Sequence, residues 1–201
     1  MKKEAVFKIF SNMPTLYTER LSLRAMHVID AEDMFDYARR PEVTEYLLWS
    51  EHKDITFTRD YLHYIGRRYA LGDFYDWAII DRESRKMIGT CGFTRIDTAN
   101  NSAEIGYVLN PDFHRRGFGS EAVRRILKFG FEELGLNRIE ARFMQGNEAS
   151  LALMMSVGMT FEGYMRDLVF VKGSYRTVGV SSILRSEYEE RYYVKKDDEH
   201  L

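Results

Sequence analysis

The 201-residue chain has one cysteine, three prolines and no long apolar run, and each shortage removes a class of explanation. A lone Cys91 excludes an intramolecular disulfide framework and argues against a Cys-rich zinc site, which suits a reducing compartment. No apolar stretch approaches the roughly 18 to 20 residues that cross a bilayer as a helix. The start carries Lys2 and Lys3, but "AVFKIF" is short, is interrupted by Lys8 and lacks a small-residue cleavage signal, so it does not read as a secretory leader. Excess charge of one sign is also missing: 29 Lys and Arg against 31 Asp and Glu leave a net charge of -2, with no global attraction for nucleic acid or an anionic membrane. The five histidines show no metal-ligand spacing. The expectation is a cytoplasmic protein without a metal, in which any anion site is local.

What is present is apolar and aromatic mass, 45% and 14% of residues, enough for one good core and cramped for two. No internal repeat or Pro/Gly-rich linker divides the chain. The reading is one domain over residues 1–201, with a core of about 15–184 and a charged tail over 185–201. "LYTERLSLRAM" alternates as a half-buried strand does. Asp30 is placed to cap a helix that stops near Pro41, and a second helix covers about 56–71 and ends at Gly72. "FYDWAIID", "KMIGTCGFTRI" and "AEIGYVLN" read as an antiparallel meander. From Gly119, Val123, Leu127, Phe131 and Leu134 form an apolar stripe, with Glu121, Arg124, Arg125 and Lys128 facing water, up to Gly135. "RIEARFM", "TFEGYMRD" and "RTVGVSSILR" are further strands, and "ASLALMMSV" is a short helix closed by Gly158. The fold class is α+β (mixed α/β): a mostly antiparallel sheet of six or seven strands with about four helices.

One segment concentrates charge. From Asp112 to Lys128 five cations face two anions, a local charge of +3 in a chain of -2. Here "FHRRGFGSEAVRR" places two arginines before Gly117-Phe118-Gly119 and then opens a helix. Helix N-terminal amides lack intrahelical partners and carry the positive end of the dipole, and glycines let a phosphate approach them. The plainer alternative is a connecting loop followed by a solvated helix face. A Walker loop does not fit, since Gly119 is followed by Ser120-Glu121. A dinucleotide fingerprint fits poorly, with two usable glycines after antiparallel strands.

The segment resembles motif A of the GNAT (Gcn5-related N-acetyltransferase) family, where a strand with a splay leads into a Gln/Arg-x-x-Gly-x-Gly/Ala loop and a helix. The matching run is His114-Arg115-Arg116-Gly117-Phe118-Gly119, with His at the usual Gln/Arg position. "AEIGYVLNPDFHRRGFGSEAV", "NEASLALMMSVGMTFEGYMRD", "LYTERLSLRAM" and "EVTEYLLWSEH" are similar to the RimJ/RimL-type branch, over about residues 15–184. The resemblance implies acetyl-CoA as co-substrate, held by Val108, Leu109, His114, Arg115, Arg116, Gly117, Phe118, Gly119, Ser120 and Asn147, with an amine acceptor such as a protein N-terminus. It implies a monomer or homodimer, and the Val108 backbone N–H as the group that polarises the thioester.

Acyl transfer to an amine needs a neutral nucleophile, stabilised oxyanion charge and a departing thiolate. An α-amine with pKa about 7.7 to 8.0 is roughly one-tenth neutral at pH 7, whereas a lysine near 10.4 is neutral only about once in a few thousand. Glu104 is the candidate base. It stands five strand residues, roughly 17 Å, before Leu109, toward the reactive end of an extended pantetheine arm. Its alternative is pairing with a neighbouring Arg or Lys. Many family members carry a Tyr acid seven residues after the motif Asn, and here that position is Met154. Ser150 is the replacement considered, against a helix-capping role. Asn147 either contacts the pantetheine or merely opens its helix. Trp49 is the candidate acceptor-pocket residue, and Cys91 reads as a core group. Arg124 and Arg125 read as a solvated face, the alternative being the adenosine 3′-phosphate. A catalytically silent acyl-CoA sensor is the competing function. A nucleic-acid module is disfavoured because interleaved aromatics and a broad basic surface are missing.

Overall fold

The computed structural model describes residues 2–193. Its centre is one sheet of β1 (Leu16–Tyr17), β2 (Leu21–Arg24), β3 (Tyr75–Asp81), β4 (Met87–Asp97), β5 (Ser102–Leu109), β6 (Arg138–Met144), β7 (Thr160–Val171) and β8 (Ser174–Leu184). The strand order is β1-β2-β3-β4-β5-β6-β8-β7. Every pairing is antiparallel except β5 with β6. The helices are α1 (Lys3–Phe10), α2 (Ala31–Ala38), α3 (Pro41–Thr44), α4 (Ile55–Ala70), α5 (Phe118–Lys128), α6 (Glu148–Ser156) and α7 (Arg185–Tyr192). The mixed α/β class is as expected, with eight strands and seven helices among the described residues.

The additional elements have local causes. "LYTERLSLRAM" is two strands, because the Leu21 N–H donates to Thr18 Oγ1 at 2.9 Å and the Thr18 N–H to the Leu21 carbonyl at 3.0 Å, closing a turn at residues 18–21. In the charged tail α7 forms because the Glu187 carboxylate accepts the Leu184 N–H at 2.8 Å and Tyr188 stacks on Phe131 at 4.8 Å. The N-terminal α1 is held by Phe10, whose ring meets Tyr75, Trp77 and Phe129 at 4.7, 5.7 and 6.1 Å. The packed core therefore includes Val6, Phe10 and Tyr188, beyond residues 15–184. Pro41 follows the end of α2 as anticipated, and it also opens α3 at the position where its missing N–H is harmless. Asp30 does not cap α2 with its side chain. Its two oxygens are taken by Arg24 at 2.8 and 2.6 Å.

Alternation sorts the sheet into two apolar layers. Trp77, Ile79, Ile105, Ile139, Ala141 and Phe143 face α5, in a cluster with Val123, Ile126, Leu127 and Phe131. Ala78, Ile80 and Val108 face α2 and α4, with Met34, Tyr37, Leu62 and Ile65. The apolar stripe of α5 is buried as its spacing predicts. It does not continue as a uniform helix: residues Phe129–Glu133 form a π-turn, with the Leu134 N–H donating five residues back to Phe129 at 3.0 Å.

One buried carboxylate lies in the second layer. Asp76 Oδ1 has no hydrogen-bond partner, and burial raises the carboxyl to about 7 despite hydrogen bonds from Thr90 and the Trp77 backbone. The folded state thus keeps a proton that the unfolded chain loses near pH 4, so this group erodes stability as pH rises from about 4 to about 7. Asp76→Asn removes that contribution. Thermal melts at pH 5 and pH 8 should show the variant gaining on the wild type at the higher pH, with a widening gap in Tm as the measured quantity. An equal gap at both pH values would show that Asp76 ionises in the folded protein as it does in water.

Candidate active site

β5 pairs with β6 only from Ser102↔Arg138 to Ile105↔Ala141, after which the two strands part. Each stays paired on its outer side, β5 with β4 as far as Leu109 and β6 with β8 as far as Met144. Between them lies a wedge-shaped opening with a backbone edge on either side. The Asn110 N–H donates to the Ile88 carbonyl at 2.8 Å, which assigns the even-numbered amides of this stretch to the β4 side. The odd-numbered ones face the opening, and the Leu109 carbonyl confirms this by accepting a hydrogen bond from the His114 ring at 3.0 Å. This corrects one expectation. The Val108 N–H belongs to the β4 ladder opposite Thr90, and the Tyr107 and Leu109 amides are the ones turned to the opening.

The loop after β5 turns from this opening into α5. Gly117 stands at the N-cap with φ 80°, the left-handed region that favours glycine, and Arg115 is also left-handed at 59°. The first donor that reaches four residues back is Glu121, to the Gly117 carbonyl at 3.0 Å, so the Phe118, Gly119 and Ser120 amides precede the helical ladder. Leu153 Cδ1 lies 2.8 Å from where a Cβ on Gly119 would sit, so this glycine also lets α6 approach α5. The front of the loop is tied by Arg40, which holds Asp112 at 2.9 and 3.0 Å. The back is tied by Arg20, which donates to the Arg116 carbonyl at 2.9 Å. Three free amides, two glycines and a +3 segment fit a pyrophosphate, and the wedge above them fits an extended amide-bearing arm.

Glu121 does not face water. Its carboxylate accepts from Thr18 Oγ1 at 2.6 Å, the Arg20 N–H at 2.9 Å and Arg20 Nε at 2.7 Å. Burial alone would raise this carboxyl, but these hydrogen bonds outweigh it and hold the group below the usual range. Arg124 donates to the Ser156 carbonyl at 3.2 Å and Arg125 pairs with Glu133 at 3.3 Å, so neither is a merely solvated side chain.

The candidate base and acid lie on opposite faces of the sheet. Glu104 shares a face with Val108 and pairs across the strand boundary with Glu140. Its carboxylate meets Arg142 Nε at 3.2 Å, and Arg142 is also held by Glu140 at 3.0 Å, so the pairing alternative considered for Glu104 is present. On the other face the Tyr107 hydroxyl lies 2.8 Å from Ser150 Oγ. Burial pushes the Tyr107 phenol well above its ordinary value, with the Ser150 hydrogen bond acting in the opposite sense, so it is a neutral donor at physiological pH. Tyr107 is a site residue to which sequence reasoning gave no role. Its odd position beside Leu109 was the available signal. Asn147 opens α6, its side chain accepting the Ser150 N–H at 3.1 Å, so Asn147 and not Ser150 is the cap. Met154 is buried in the core. Trp49 packs against the second apolar cluster, which Val108 also joins, with its ring 5.4 Å from that of His52. Cys91 is buried, and burial raises its thiol, as a core role requires. Among the described residues no three His, Cys, Asp or Glu side chains converge as a metal set, and no helix is long and apolar enough to cross a membrane.

Comparison with known proteins gives this geometry its family. The acetyltransferase (GNAT) domain model matches residues 20–160. An uncharacterised N-acetyltransferase, p20, of Bacillus licheniformis is 41% identical over 176 residues, covering 88% of this chain and 99% of that one. A GNAT-family acetyltransferase structure from Bacillus anthracis superposes with a TM-score of 0.76 at 25% identity, over 86% of this chain and 99% of that chain. RimL, a ribosomal L7/L12 α-N-protein acetyltransferase solved with coenzyme A, shares the fold at a TM-score of 0.74 and 20% identity, over 85% and 98%. The parted strands, the glycine loop at the start of α5 and these matches together make the chain a member of the GNAT acetyltransferase family.

Proposed function

We propose that the protein transfers an acetyl group from acetyl-CoA to the α-amine of a protein N-terminus, directly and in a ternary complex. The observation that carries this reading is the wedge between β5 and β6, with a carboxylate on one face and a hydroxyl pair on the other. The pyrophosphate would rest on the Phe118, Gly119 and Ser120 amides, with the pantetheine along the Tyr107 and Leu109 edge. The amine nitrogen then bonds to the acetyl carbon as the carbon–sulfur bond breaks. Glu104 takes the ammonium proton before attack, directly or through water. Ser150, backed by Tyr107, then supplies a proton to the departing sulfur and is reprotonated, through water, by the second proton that the acylated nitrogen sheds. The protein-terminus acceptor follows the RimL likeness and the modest help an α-amine needs to lose its proton. The Glu104–Arg142 pair favours the competing reading, a silent acyl-CoA sensor in which this carboxylate is structural. Release of coenzyme A with a panel of peptide N-termini, lysine peptides and polyamines separates the two readings.

The cradle generates one prediction. Gly117→Ala places a side chain at φ 80°, at a cost of about 1–2 kcal/mol, and Gly119→Ala displaces the flexible end of Leu153. Both should raise the dissociation constant of coenzyme A in calorimetry while the protein stays folded. Unchanged affinity in both would remove the basis for placing the pyrophosphate there.

Proton transfer generates two more. Glu104→Gln keeps the shape and removes the charge, and should lower turnover by about 10² to 10⁴ near neutrality. That loss should shrink as pH rises, because more amine is neutral in solution, and it should be smaller for an α-amine than for a lysine. Identical pH profiles for both proteins would make Glu104 structural. Ser150→Ala should lower kcat by less than about tenfold, since a thiol of pKa about 8.5 departs tolerably without an acid. Single-turnover kinetics at saturating acetyl-CoA measure this, and an unchanged rate would release Ser150 from the acid role.

A further inference from the structure

The strongest unassigned cluster outside the reacting groups lies at the turn between β1 and β2. Arg20 reaches across to the cofactor loop and touches it on both sides of the free amides. Its Nε and a terminal nitrogen hold the Glu121 carboxylate at 2.7 and 2.6 Å, and another terminal nitrogen donates to the Arg116 carbonyl at 2.9 Å. The guanidinium carbon sits 4.5 Å from the centre of the Phe118 ring. Its terminal nitrogen is 3.3 Å from the point a Cβ on Gly117 would occupy, so the guanidinium lies against the left-handed turn itself. Thr18 and the Arg20 N–H complete the hold on Glu121 at 2.6 and 2.9 Å.

Two physical demands meet here. The Phe118, Gly119 and Ser120 amides serve an anion only if the backbone that carries them is fixed beforehand. Glu121 lies one residue past those amides, and its negative charge, mostly shielded from solvent, would repel a phosphate if left alone. A planar fork that binds a carboxylate with two nitrogens and still reaches a carbonyl with the third meets both demands, which a lysine does not.

We propose that Arg20 is the positioning residue of the coenzyme A cradle, fixing the Arg116–Gly117 backbone and neutralising Glu121 beside the pyrophosphate. This rests on the reading of the loop as that cradle. The co-substrate's pyrophosphate half is therefore what Arg20 serves, and its acetyl-pantetheine half is indifferent to it.

The test compares acetyl-CoA with S-acetyl-pantetheine, which lacks the pyrophosphate and adenosine, and adds calorimetry with coenzyme A. Arg20→Met should lower the ratio of kcat/KM for acetyl-CoA to that for acetyl-pantetheine by about tenfold or more, through KM, and weaken coenzyme A binding to match. Arg20→Lys should fall between that variant and the wild type. Arg20→Met/Glu121→Gln should bind coenzyme A more tightly than Arg20→Met alone, because the uncompensated carboxylate is gone. A purely structural corner would lose more with each contact removed. An unchanged ratio in both single variants, or a double variant no tighter than Arg20→Met, overturns the proposal. Gly117→Ala run alongside tells the two failures apart: if it weakens coenzyme A binding and the Arg20 variants do not, the cradle stands and Arg20 is not its positioner.

Discussion

A sheet edge inside a protein cannot be left without hydrogen-bond partners, and everything at this site depends on one place where two neighbouring strands give up their pairing. β5 and β6 hold together for four residues and then part. The outer ladders to β4 and β8 continue past that point, so each parted strand stays paired on its other side. An open edge with fixed donors and acceptors accepts an extended chain that carries its own amides. The parallel pairing is what allows the gap, since a crossover through α5 brings β6 back beside β5 and puts a helix N-terminus at its mouth.

The period-2 alternation of β5 has a second effect. Ala103, Ile105 and Tyr107 belong to the α5 layer, whereas Glu104 and Val108 belong to the opposite face. The sheet divides the proposed chemistry, with the carboxylate where an amine would arrive and the hydroxyl pair where a thiolate would depart. Arg142 sits at the boundary, bonded to Glu104 and Glu140 together, and an incoming ammonium could take its place at one carboxylate while the other retains it.

Much of this was legible from residue order alone. Alternation marked the strands, the Gly117-Phe118-Gly119 turn marked the start of α5, and Gly72, Gly135 and Gly158 marked where chains turn after helices, each with φ in the left-handed region. What could not be read were relations between distant residues. Glu121 looked solvated because its partners stand about a hundred positions earlier. Val108 was given the polarising amide by the family resemblance, and residue types could not check it because they do not state which way an amide points; that parity needed the Asn110 bond to β4. Tyr107 gained a role only when α6 placed Ser150 against it. Trp49 stood out only as an aromatic in a polar stretch, and its packing against the second cluster beside Val108 depends on residues far away in the chain.

The chain order of the sheet carries a consequence for where this unit begins and ends. The family model spans residues 20–160, yet β8, which lies between β6 and β7, comes after that limit, and Phe10, fully buried among three aromatic rings, comes before it. A fragment cut to the matched span would strip β6 of its outer neighbour beside the wedge and open a hole against Trp77. Similarity and packing therefore draw different borders here, and the recombinant protein that keeps its architecture is the one cut by packing, from α1 through α7.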